Sequence, residues 1–418
     1  MLRGLPARVG LSSRRYHAPS KTGVGLRILL LSHNLAGLGG SYMRSFSLAR
    51  QLAGFGHSVH LLASRRAVGV RPVTTICDKV KVVEMPDITP ARFRNGGLSP
   101  LDTLARMSWI SRRSFDVIHA FDHRPAVSFP ALVGRNRGAL LVSDWADLWG
   151  KDGIASERGS VGGRLVGAGD DYWEPRFRRS ADGLSAISRA LWDRAGGLGI
   201  PEERRMILPA GANVDLIRPL AKSVGRSHYD LPQDAHIVVS TGFAPYDEDL
   251  LAETMVEILS LDLNAWAVTS GARSPRLQRA VGRRGLHARL RMLGSVPLAD
   301  LERVLACADV LLLPYSRKLV NLARFPNRFG DYLAAGRAIV TNRTGDLGEL
   351  VARHQLGVLA EENPVDMARK VVDLFKDRQR GDELGRRART FAEDHLNWTT
   401  LAKGVERFYG DLLTVHRH

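Results

Sequence analysis

One stretch of the sequence, residues 325–340, joins charged side chains to the residues that typically begin and end a helix. Pro326 suits the first turn, because the N–H group that proline lacks would be unpaired there, and Gly336 suits the left-handed residue that ends a helix. Arg328 and Asp331 are three residues apart, so they would share one face. A carboxylate held there can accept both hydrogens of a ribose diol, and the arginine and the helix N-terminus can hold phosphate. The stretch therefore predicts a helix that binds a diol and phosphate groups.

This helix is expected to lie between two buried strands, and the same alternation continues along most of the chain. Apolar runs predict strands at 28–31, 59–63, 80–84, 117–119, 140–142, 183–187, 237–240, 265–269, 290–293, 309–313 and 338–341. Helical patterns lie between many of them, at 42–53, 101–112, 174–179, 189–195 and 298–306, with Ser41 as the expected N-cap of the first. Strands that alternate with helices favour a parallel sheet covered by helices on both faces.

The sequence therefore predicts an α/β fold with two doubly wound, Rossmann-like domains. Residues 26–215 form the first domain and 234–395 the second, joined by a loose segment at 216–233 that contains two prolines. A basic leader at 1–25 is expected to be disordered, and a last helix within 396–418 is expected to pack back on the first domain. Ligands of such sheets bind outside the carboxyl ends of the strands, so the loops that follow those strands should meet in one cleft.

The charge and the cysteine content bound the partners and the compartment. The chain of 418 residues carries a formal net charge of +17, and its first acidic residue is Asp78. Such a charge suits an anionic membrane surface, phosphorylated substrates or nucleic acid, but no helix-turn-helix, zinc-finger or aromatic RNA-binding motif is recognisable. Two cysteines, Cys77 and Cys307, are too few for a disulfide framework. We therefore expect a cytoplasmic protein that binds an anionic substrate and associates with the inner face of the plasma membrane, and we expect no nucleic acid.

Four groups of segments, in this order and spacing, resemble the family 4 retaining glycosyltransferases of the GT-B fold. The first comprises 28–33, 39–42, 48–52 and 56–57, the second 181–188 and 208–215, the third 293–297 and 308–316, and the fourth 325–340 and 345–349. The resemblance implies two Rossmann-like domains that face each other across a cleft. It also implies transfer of a sugar from a nucleoside-diphosphate sugar to a hydroxyl of a glycan or lipid-linked acceptor, with no cofactor and no essential metal.

The resemblance assigns particular residues to the donor site. Gly39 and Gly40 match the glycine loop whose backbone approaches the donor phosphates, and Asp331 matches the carboxylate that binds the ribose. Arg324 and Arg328 would lie near the diphosphate, where Arg328 would stabilise the charge of the leaving group. Loops of the second domain complete the site. They contribute Gly242, then Gly294 and Val296 beside the base, and Gly345, Asp346 and Leu347 beside the sugar.

Three departures from the family pattern bear on catalysis. Ala323 stands where relatives commonly carry a glutamate, and the segment 242–249 is acidic where many carry an arginine and a lysine. The catalytic histidine of the first domain would fall near 144–147, where this sequence has none. Asp144 and His119 are the candidates for a catalytic role in its place.

The mechanism that the resemblance implies needs little acid–base chemistry from the protein, because the leaving diphosphate can take the proton of the incoming hydroxyl. Two other functions stay open: an epimerase of sugar nucleotides with the same fold, and a non-catalytic nucleotide-sugar-binding partner of an active transferase. Asp247 and Asp249 could be taken for a metal-binding pair. Asp247 falls at the predicted start of a helix, however, where N-capping is the better explanation.

Aromatic side chains of the first domain are the candidates for the acceptor site. Trp145, Trp149 and Trp173 could line an acceptor groove, although burial in the core is the commoner position of tryptophan. A surface polysaccharide or glycolipid acceptor at the inner membrane face would account for the basic charge of the chain.

Overall fold

The computed structural model describes residues 25–150, 152–157 and 161–416, so all but one residue of the predicted leader lies outside the described residues. The strands of the first sheet are β1 (Arg27–Leu35), β2 (Ser58–Ser64), β3 (Val73–Cys77), β4 (Val80–Glu84), β5 (Val117–Phe121), β6 (Leu140–Trp145), β7 (Gly183–Ala186) and β8 (Arg205–Ile207). The strands of the second are β9 (His236–Thr241), β10 (Ala265–Ser270), β11 (Leu290–Met292), β12 (Val310–Leu313), β13 (Ala338–Asn342) and β14 (Val358–Ala360).

The helices lie between these strands. They are α1 (Gly40–Gly54), α2 (Ala91–Asn95), α3 (Pro100–Ser111), α4 (Pro125–Arg135), α5 (Val161–Ser180), α6 (Arg189–Gly197), α7 (Lys222–His228), α8 (Glu248–Leu261), α9 (Pro275–Arg283), α10 (Leu301–Ala306), α11 (Leu319–Ala323), α12 (Asn327–Ala335), α13 (Gly345–His354), α14 (Pro364–Lys376), α15 (Arg378–Phe391) and α16 (Trp398–His416). Sequence and structure therefore agree on an α/β fold with two Rossmann-like domains.

Both sheets have the doubly wound order that the alternation predicts. The first runs β3-β4-β2-β1-β5-β6-β7-β8 and the second β11-β10-β9-β12-β13-β14. The pairings are parallel except that of β3 with β4, which is antiparallel. Ile28 to Leu31 of β1 have no exposed surface, because helices cover both faces of a parallel sheet.

The last helix, α16, packs against the first domain. Trp398, Ala402, Val405, Phe408 and Leu412 lie in one buried cluster with residues of α1 and β1. Their spacing of three to four residues places them on one face of the helix. The chain therefore crosses from the second domain back to the first before it ends.

The segment 216–233, which we expected to be loose, contains α7 and is tied to the second domain. Arg226 of α7 donates hydrogen bonds to the Asp309 carboxylate, at 2.8 Å, and to the carbonyl of Cys307, at 3.2 Å. Prolines flank the helix without interrupting it.

The two domains meet at the carboxyl ends of their strands. Ser188, which precedes α6, donates a hydrogen bond of 2.6 Å to the carbonyl of Ala323 in the second domain. Gly330 of α12 lies so close to Gly211 that a Cβ atom on Gly330 would be 2.6 Å from the Gly211 carbonyl oxygen. This close approach requires glycine in α12.

Candidate functional site

A cavity of about 270 Å³ lies between the two domains, at the carboxyl ends of the strands. The first domain lines it with His33 and Asn34 of β1, Gly40, Ser41 and Arg44 of α1, Ala146, Asp147 and Trp149 after β6, and Ile187 after β7. The second domain lines it with Arg324, Phe325, Pro326 and Asn327, which connect α11 to α12. The cleft that the strand ends predict is therefore present, and it is lined from both sides.

The glycine loop borders this cavity, and the helix that follows it, α1, is capped by a side chain of β1. Gly39 has φ +86° and is the N-cap residue of α1, and a Cβ atom there would be 2.5 Å from Oδ1 of Asn34. Asn34 Oδ1 accepts hydrogen bonds from the backbone N–H groups of Ser41, at 3.0 Å, and Tyr42, at 3.4 Å. The expected capping role of Ser41 is therefore wrong, because Asn34 satisfies the first donors of the helix.

Arg44 lines the cavity and is held from behind by Asp144. Its Nε and Nη2 donate to Oδ2 and Oδ1 of Asp144 at 3.0 and 2.9 Å, and both residues are buried. Burial alone would raise the pKa of Asp144, but the charge and hydrogen bonds of Arg44 lower it below its usual value. Asp144 does not line the cavity. The structure places it behind Arg44, which it positions, and a direct catalytic role for Asp144 stays a prediction.

His119 is also placed away from the cavity. It lies in the centre of β5 with no exposed surface, and its Nδ1 and Nε2 are 2.7 Å from the Tyr409 hydroxyl and 3.0 Å from the Ser185 hydroxyl. Burial lowers the pKa of His119 to about 4, so the ring is neutral at physiological pH. Both ring nitrogens are occupied by structural partners, and the predicted catalytic role of His119 does not fit this position.

A different histidine, His33, reaches the cavity from the end of β1. Its Nδ1 is 3.3 Å from Oδ2 of Asp122, a residue with the left-handed φ of +97° that non-glycine residues rarely adopt. Burial lowers the pKa of His33. Behind this pair, His123 contacts both Asp122, at 2.8 Å, and Asp170, at 2.9 Å. Although burial opposes its charge, Glu174 and Asp122 together raise the pKa of His123 to about 9.

Arg324 brings positive charge into the cavity from the second domain. Its Nε donates to Asn321 at 3.0 Å, its Nη2 lies 3.5 Å from the Asp247 carboxylate, and its guanidinium is 5.2 Å from the ring centroid of Tyr246. Within the described residues, Nη2 is buried and makes no hydrogen bond. The guanidinium therefore retains the capacity to donate to a further anion.

Asp247 is the N-cap residue of α8, as expected, but its side chain has another function. Its side chain makes no capping bond to α8. Oδ1 instead accepts hydrogen bonds from the Ser316 hydroxyl, at 2.6 Å, and from Asn321, at 3.0 Å, and Asp249 pairs with Arg276 at 2.6 Å. The acidic segment therefore supports the wall that presents the arginine at position 324.

The predicted phosphate and base loops gather glycines with positive φ at the strand ends of the second domain. Gly242, Gly271 and Gly294 have φ of +65°, +98° and +70°, and the N–H of Gly271 donates to the carbonyl of Gly294 at 2.7 Å. Arg328 donates from Nη1 to the carbonyl of Gly242. Its burial lowers its pKa. Arg328 thus braces the Gly242 loop and does not line the cavity, while Val296 lies half-buried nearby.

The predicted ribose carboxylate, Asp331, faces the first domain. Its Oδ1 accepts a hydrogen bond of 3.1 Å from Nδ2 of Asn213. Burial raises the pKa of Asp331 to about 6, and the Asn213 bond offsets this only in part. It forms no ion pair with Arg328 in the described part of the chain, so the two residues of this helix point to different partners.

The loop before α13 contacts the first domain. Gly345 has φ +55°, and Oδ2 of Asp346 accepts a 2.6 Å hydrogen bond from the backbone N–H of Arg189. The side chain of Leu347 has no exposed surface. Of these three residues, none lines the cavity with its side chain, and the donor role predicted for their backbone N–H groups stays a prediction.

Comparison with known proteins assigns the chain to a family. Residues 39–211 match the family model described as a glycosyl transferase 4-like domain, and residues 236–377 match that of the glycosyl transferases group 1. The chain belongs to the group 1 glycosyltransferases of the GT-B fold.

Individual relatives agree with this assignment. The glycosyltransferase is 25% identical to D-inositol 3-phosphate glycosyltransferase 1 of Catenulispora acidiphila over an alignment of 435 positions, which includes 97% of this chain and 98% of that protein. Its fold is similar to that of sucrose-phosphate synthase from Thermosynechococcus elongatus, with a TM-score of 0.72, 16% identity and coverage of 93% and 99%. It is also similar to Anabaena HepE in complex with UDP and glucose, with a TM-score of 0.68, 16% identity and coverage of 92% and 99%.

The cavity of this glycosyltransferase holds only part of the predicted site. Gly40 and Arg324 are the predicted residues that line it. Trp149, one of the three tryptophans expected at an acceptor groove, lines the cavity as well. Polar lining residues that sequence reasoning did not assign to the site include His33, Asn34, Arg44, Asp147 and Asn327. For Asp147 the sequence held a signal, since it follows the apolar run 140–142, and a parallel sheet presents its ligand-binding loops after its strands.

Proposed function

We propose that the enzyme is a retaining, metal-independent glycosyltransferase that moves a sugar from a nucleoside-diphosphate sugar to a hydroxyl acceptor. The observation that carries this proposal is the guanidinium of Arg324, which lines the cavity between the domains with an Nη2 that makes no hydrogen bond to a described residue. A diphosphate that leaves the donor develops negative charge, and a fixed guanidinium stabilises that charge in a site shielded from water.

The donor is held, in this proposal, by the second domain. The Gly242, Gly271 and Gly294 loops provide backbone that a nucleotide can approach closely, and Asp331 provides the acceptor for ribose hydroxyls. The UDP and glucose in the HepE complex support a nucleotide sugar as the donor class. Asp331 releases Asn213 or shares its second oxygen when the ribose binds.

The proposed mechanism is front-face substitution, which retains the configuration of the sugar. The acceptor hydroxyl attacks from the face that the diphosphate leaves, and the departing phosphate oxygen takes its proton. The protein then contributes position and charge, through Arg44 and Arg324 on opposite sides of the cavity. Ala323 has no carboxylate at a position where relatives commonly carry a glutamate, and this departure favours a non-catalytic nucleotide-binding partner as the second candidate.

A polyol is the first acceptor to test, since the relative named above acts on an inositol phosphate.

An exposed aliphatic patch on the first domain supports an acceptor that is carried on a lipid or surface polysaccharide. Val68, Val70 and Ile88 are 62%, 78% and 59% exposed, and the antiparallel bridge between Gly69 and Asp87 places them on one face. Aliphatic residues beside the exposed Arg66 and Arg71 suit the surface of an anionic membrane. No helix of the described residues is long and apolar enough to span a bilayer.

Thermal unfolding in the presence of nucleotides tests the donor proposal. A ligand bound only by the folded protein raises the midpoint, so UDP, GDP, ADP and TDP and their glucose, N-acetylglucosamine or mannose conjugates are compared with and without EDTA. One nucleotide that raises the midpoint equally in EDTA, and whose sugar conjugate is consumed when inositol, D-inositol 3-phosphate or glucose is added, supports the proposal. Binding without consumption favours the non-catalytic partner, and a free epimeric sugar nucleotide as product favours the epimerase.

A further inference from the structure

Asp147 carries the only carboxylate among the described residues that line the cavity. It follows β6 and faces the second domain, where Arg324 lines the opposite side of the same space. Sequence reasoning selected Asp144, three residues earlier, because the two acids are indistinguishable in the sequence. The structure separates them, since Asp144 is turned inward to Arg44 and Asp147 is turned into the cavity.

The other buried acids near the cavity all have protein partners. Asp122 contacts His33 and His123, Asp170 contacts Arg124 at 2.8 Å, and Asp247 accepts from Ser316. Within the described ranges, the carboxylate of Asp147 accepts no hydrogen bond and forms no ion pair.

An acid left without a partner in a partly buried cavity is destabilising. Burial raises the pKa of Asp147 to about 6, against the lowering effect of the positive charge of Arg324. A cost of this kind is characteristic of a group whose partner is a ligand.

An aromatic ring lies beside this carboxylate. Trp149, two residues further on, lines the same cavity, and the guanidinium of Arg124 covers its ring at 4.0 Å from the centroid. A hydroxyl of a sugar or cyclitol can donate a hydrogen bond to a carboxylate. The apolar face of the sugar or cyclitol ring can pack against an aromatic side chain such as Trp149. A phosphate in the same position would be repelled by the carboxylate. The pair is therefore suited to a neutral polyol.

We infer that Asp147, as the ionised carboxylate, accepts a hydrogen bond from a hydroxyl of the carbohydrate that occupies the cavity. The carboxylate thereby positions that hydroxyl and excludes a phosphate from the same place. The inference rests on the proposed function and adds the group that the first domain directs at the substrate. The hydroxyl belongs either to the sugar of the donor or to the acceptor, and the two sources give different kinetic results.

Several charged groups act on Asp147, and the pH dependence must take account of them. Arg324 of the second domain and Arg44 of α1 favour its ionised form, whereas Asp122 after β5 and Glu174 of α5 oppose it. His33 lies in the same cavity. Asp331 also has a pKa of about 6, so the acid side of the wild-type profile contains two groups, and only substitution of Asp147 assigns its share.

The test compares wild type with Asp147→Asn, which keeps shape and loses charge, and with Asp152→Asn, an exposed acid five residues away, as the control. Nucleotide release from the nucleotide sugar is measured from pH 5 to 8.5. We expect Asp147→Asn to lower kcat/KM at pH 8 by about 10- to 100-fold, the loss typical of a hydrogen bond to a charged group. The slope of log kcat/KM below pH 6 should fall by one, while the thermal shift given by the free nucleotide is unchanged.

Each arm identifies the source of the hydroxyl. If Asp147→Asn raises the KM for inositol or another acceptor and leaves the donor KM unchanged, the hydroxyl belongs to the acceptor. In wild type, the nucleotide sugar should raise the unfolding midpoint more than the nucleotide does, and loss of this difference in Asp147→Asn assigns the hydroxyl to the donor sugar. The inference is overturned, with transferase activity intact, if Asp147→Asn keeps both KM values and the wild-type pH slope. It fails together with the proposed function if no nucleotide or nucleotide sugar of the panel stabilises the wild-type protein.

Discussion

The carboxylate of Asp247 lies 3.5 Å from Nη2 of Arg324 and holds that guanidinium at the edge of the interdomain cavity. The acidic segment that replaces the usual cations of this family therefore does not leave the site without positive charge. It supports an arginine that enters from a different loop, between α11 and α12.

Arg324→Gln should lower kcat by about 10²- to 10³-fold, the usual effect of removing one fixed donor from a charge-stabilising site. The thermal shift given by a nucleoside diphosphate should shrink as well. Arg276→Gln, which removes an exposed arginine paired with Asp249, is the matched control and should retain wild-type rates. Equal kcat values for the two variants would contradict the role of Arg324.

Asp331 should distinguish ribose from deoxyribose. The wild-type protein should bind UDP more tightly than 2′-deoxy-UDP, whereas Asp331→Ala should bind both equally weakly. If the donor carries another base, the ribo- and deoxyribonucleotides of that base are compared. Because burial raises the pKa of Asp331 to about 6, the wild-type preference should be full above pH 7 and decline as the pH falls through 6. Calorimetric titration measures both affinities. A preference that survives in Asp331→Ala would remove Asp331 from the ribose site.

The Arg44–Asp144 pair should be a major contribution to stability. Asp144→Ala leaves a buried guanidinium without its carboxylate, a change that typically costs about 3–5 kcal/mol of unfolding free energy. Chemical denaturation measures the loss. Replacement of both residues, with Arg44→Met and Asp144→Leu, should recover part of it, because no buried charge then stays uncompensated. A double variant less stable than Asp144→Ala would contradict this account.

Asp147 should reduce the stability of the ligand-free protein at neutral pH. Its pKa in the folded chain, about 6, is above the value of about 3.9 for an unfolded aspartate, so the folded state binds the proton more tightly. Its ionisation therefore destabilises the fold progressively as the pH rises from 4 to 6. Asp147→Asn should be more stable than wild type by about 1–2 kcal/mol above pH 7, and the gain should vanish near pH 4. A constant difference at all pH values would contradict it.

The exposed aliphatic patch predicts membrane binding. Substitution of Val68, Val70 and Ile88 by serine should abolish flotation with vesicles that contain phosphatidylserine or phosphatidylglycerol, without changing kcat on a soluble acceptor. Vesicles of phosphatidylcholine should bind neither protein, since the cations beside the patch require anionic lipid. Wild-type protein that stays with the pellet in all vesicle types would rule out this surface.

The sequence was sufficient for the fold because its signals were local. Apolar runs such as 310–313, between predicted helices, are typical of strands in a covered parallel sheet. Gly336 ends α12 with φ +63° and ψ +39°, as its position after the helix predicts. The strand β3 was not predicted, because it lies at the edge of the sheet with most of its side chains exposed. The helix α4 was not predicted either, since it contains Pro130.

The site was less predictable because its residues are selected by tertiary contacts. Asp144 points into the core and Asp147 into the cavity, and only the path of the chain after β6 separates them. His119 lies in the middle of β5, where it contacts Tyr409 of α16 and has no exposed surface. The cavity residue His33 had no partner within its own segment. The carboxylate that His33 contacts is that of Asp122, which is 89 residues away in sequence. The two side chains meet only because β1 pairs with β5.

The central claim is transfer of a sugar with retention, and the structure of the product tests it most directly. The purified protein is incubated with the nucleotide sugar that stabilises it and with the acceptor that triggers its consumption, and the first product is examined by ¹H NMR. The account predicts a glycoside with the same anomeric configuration as the donor, formed equally in the presence of EDTA. A glycoside of inverted configuration would contradict the mechanism, and an intact donor after prolonged incubation would contradict the enzyme assignment itself.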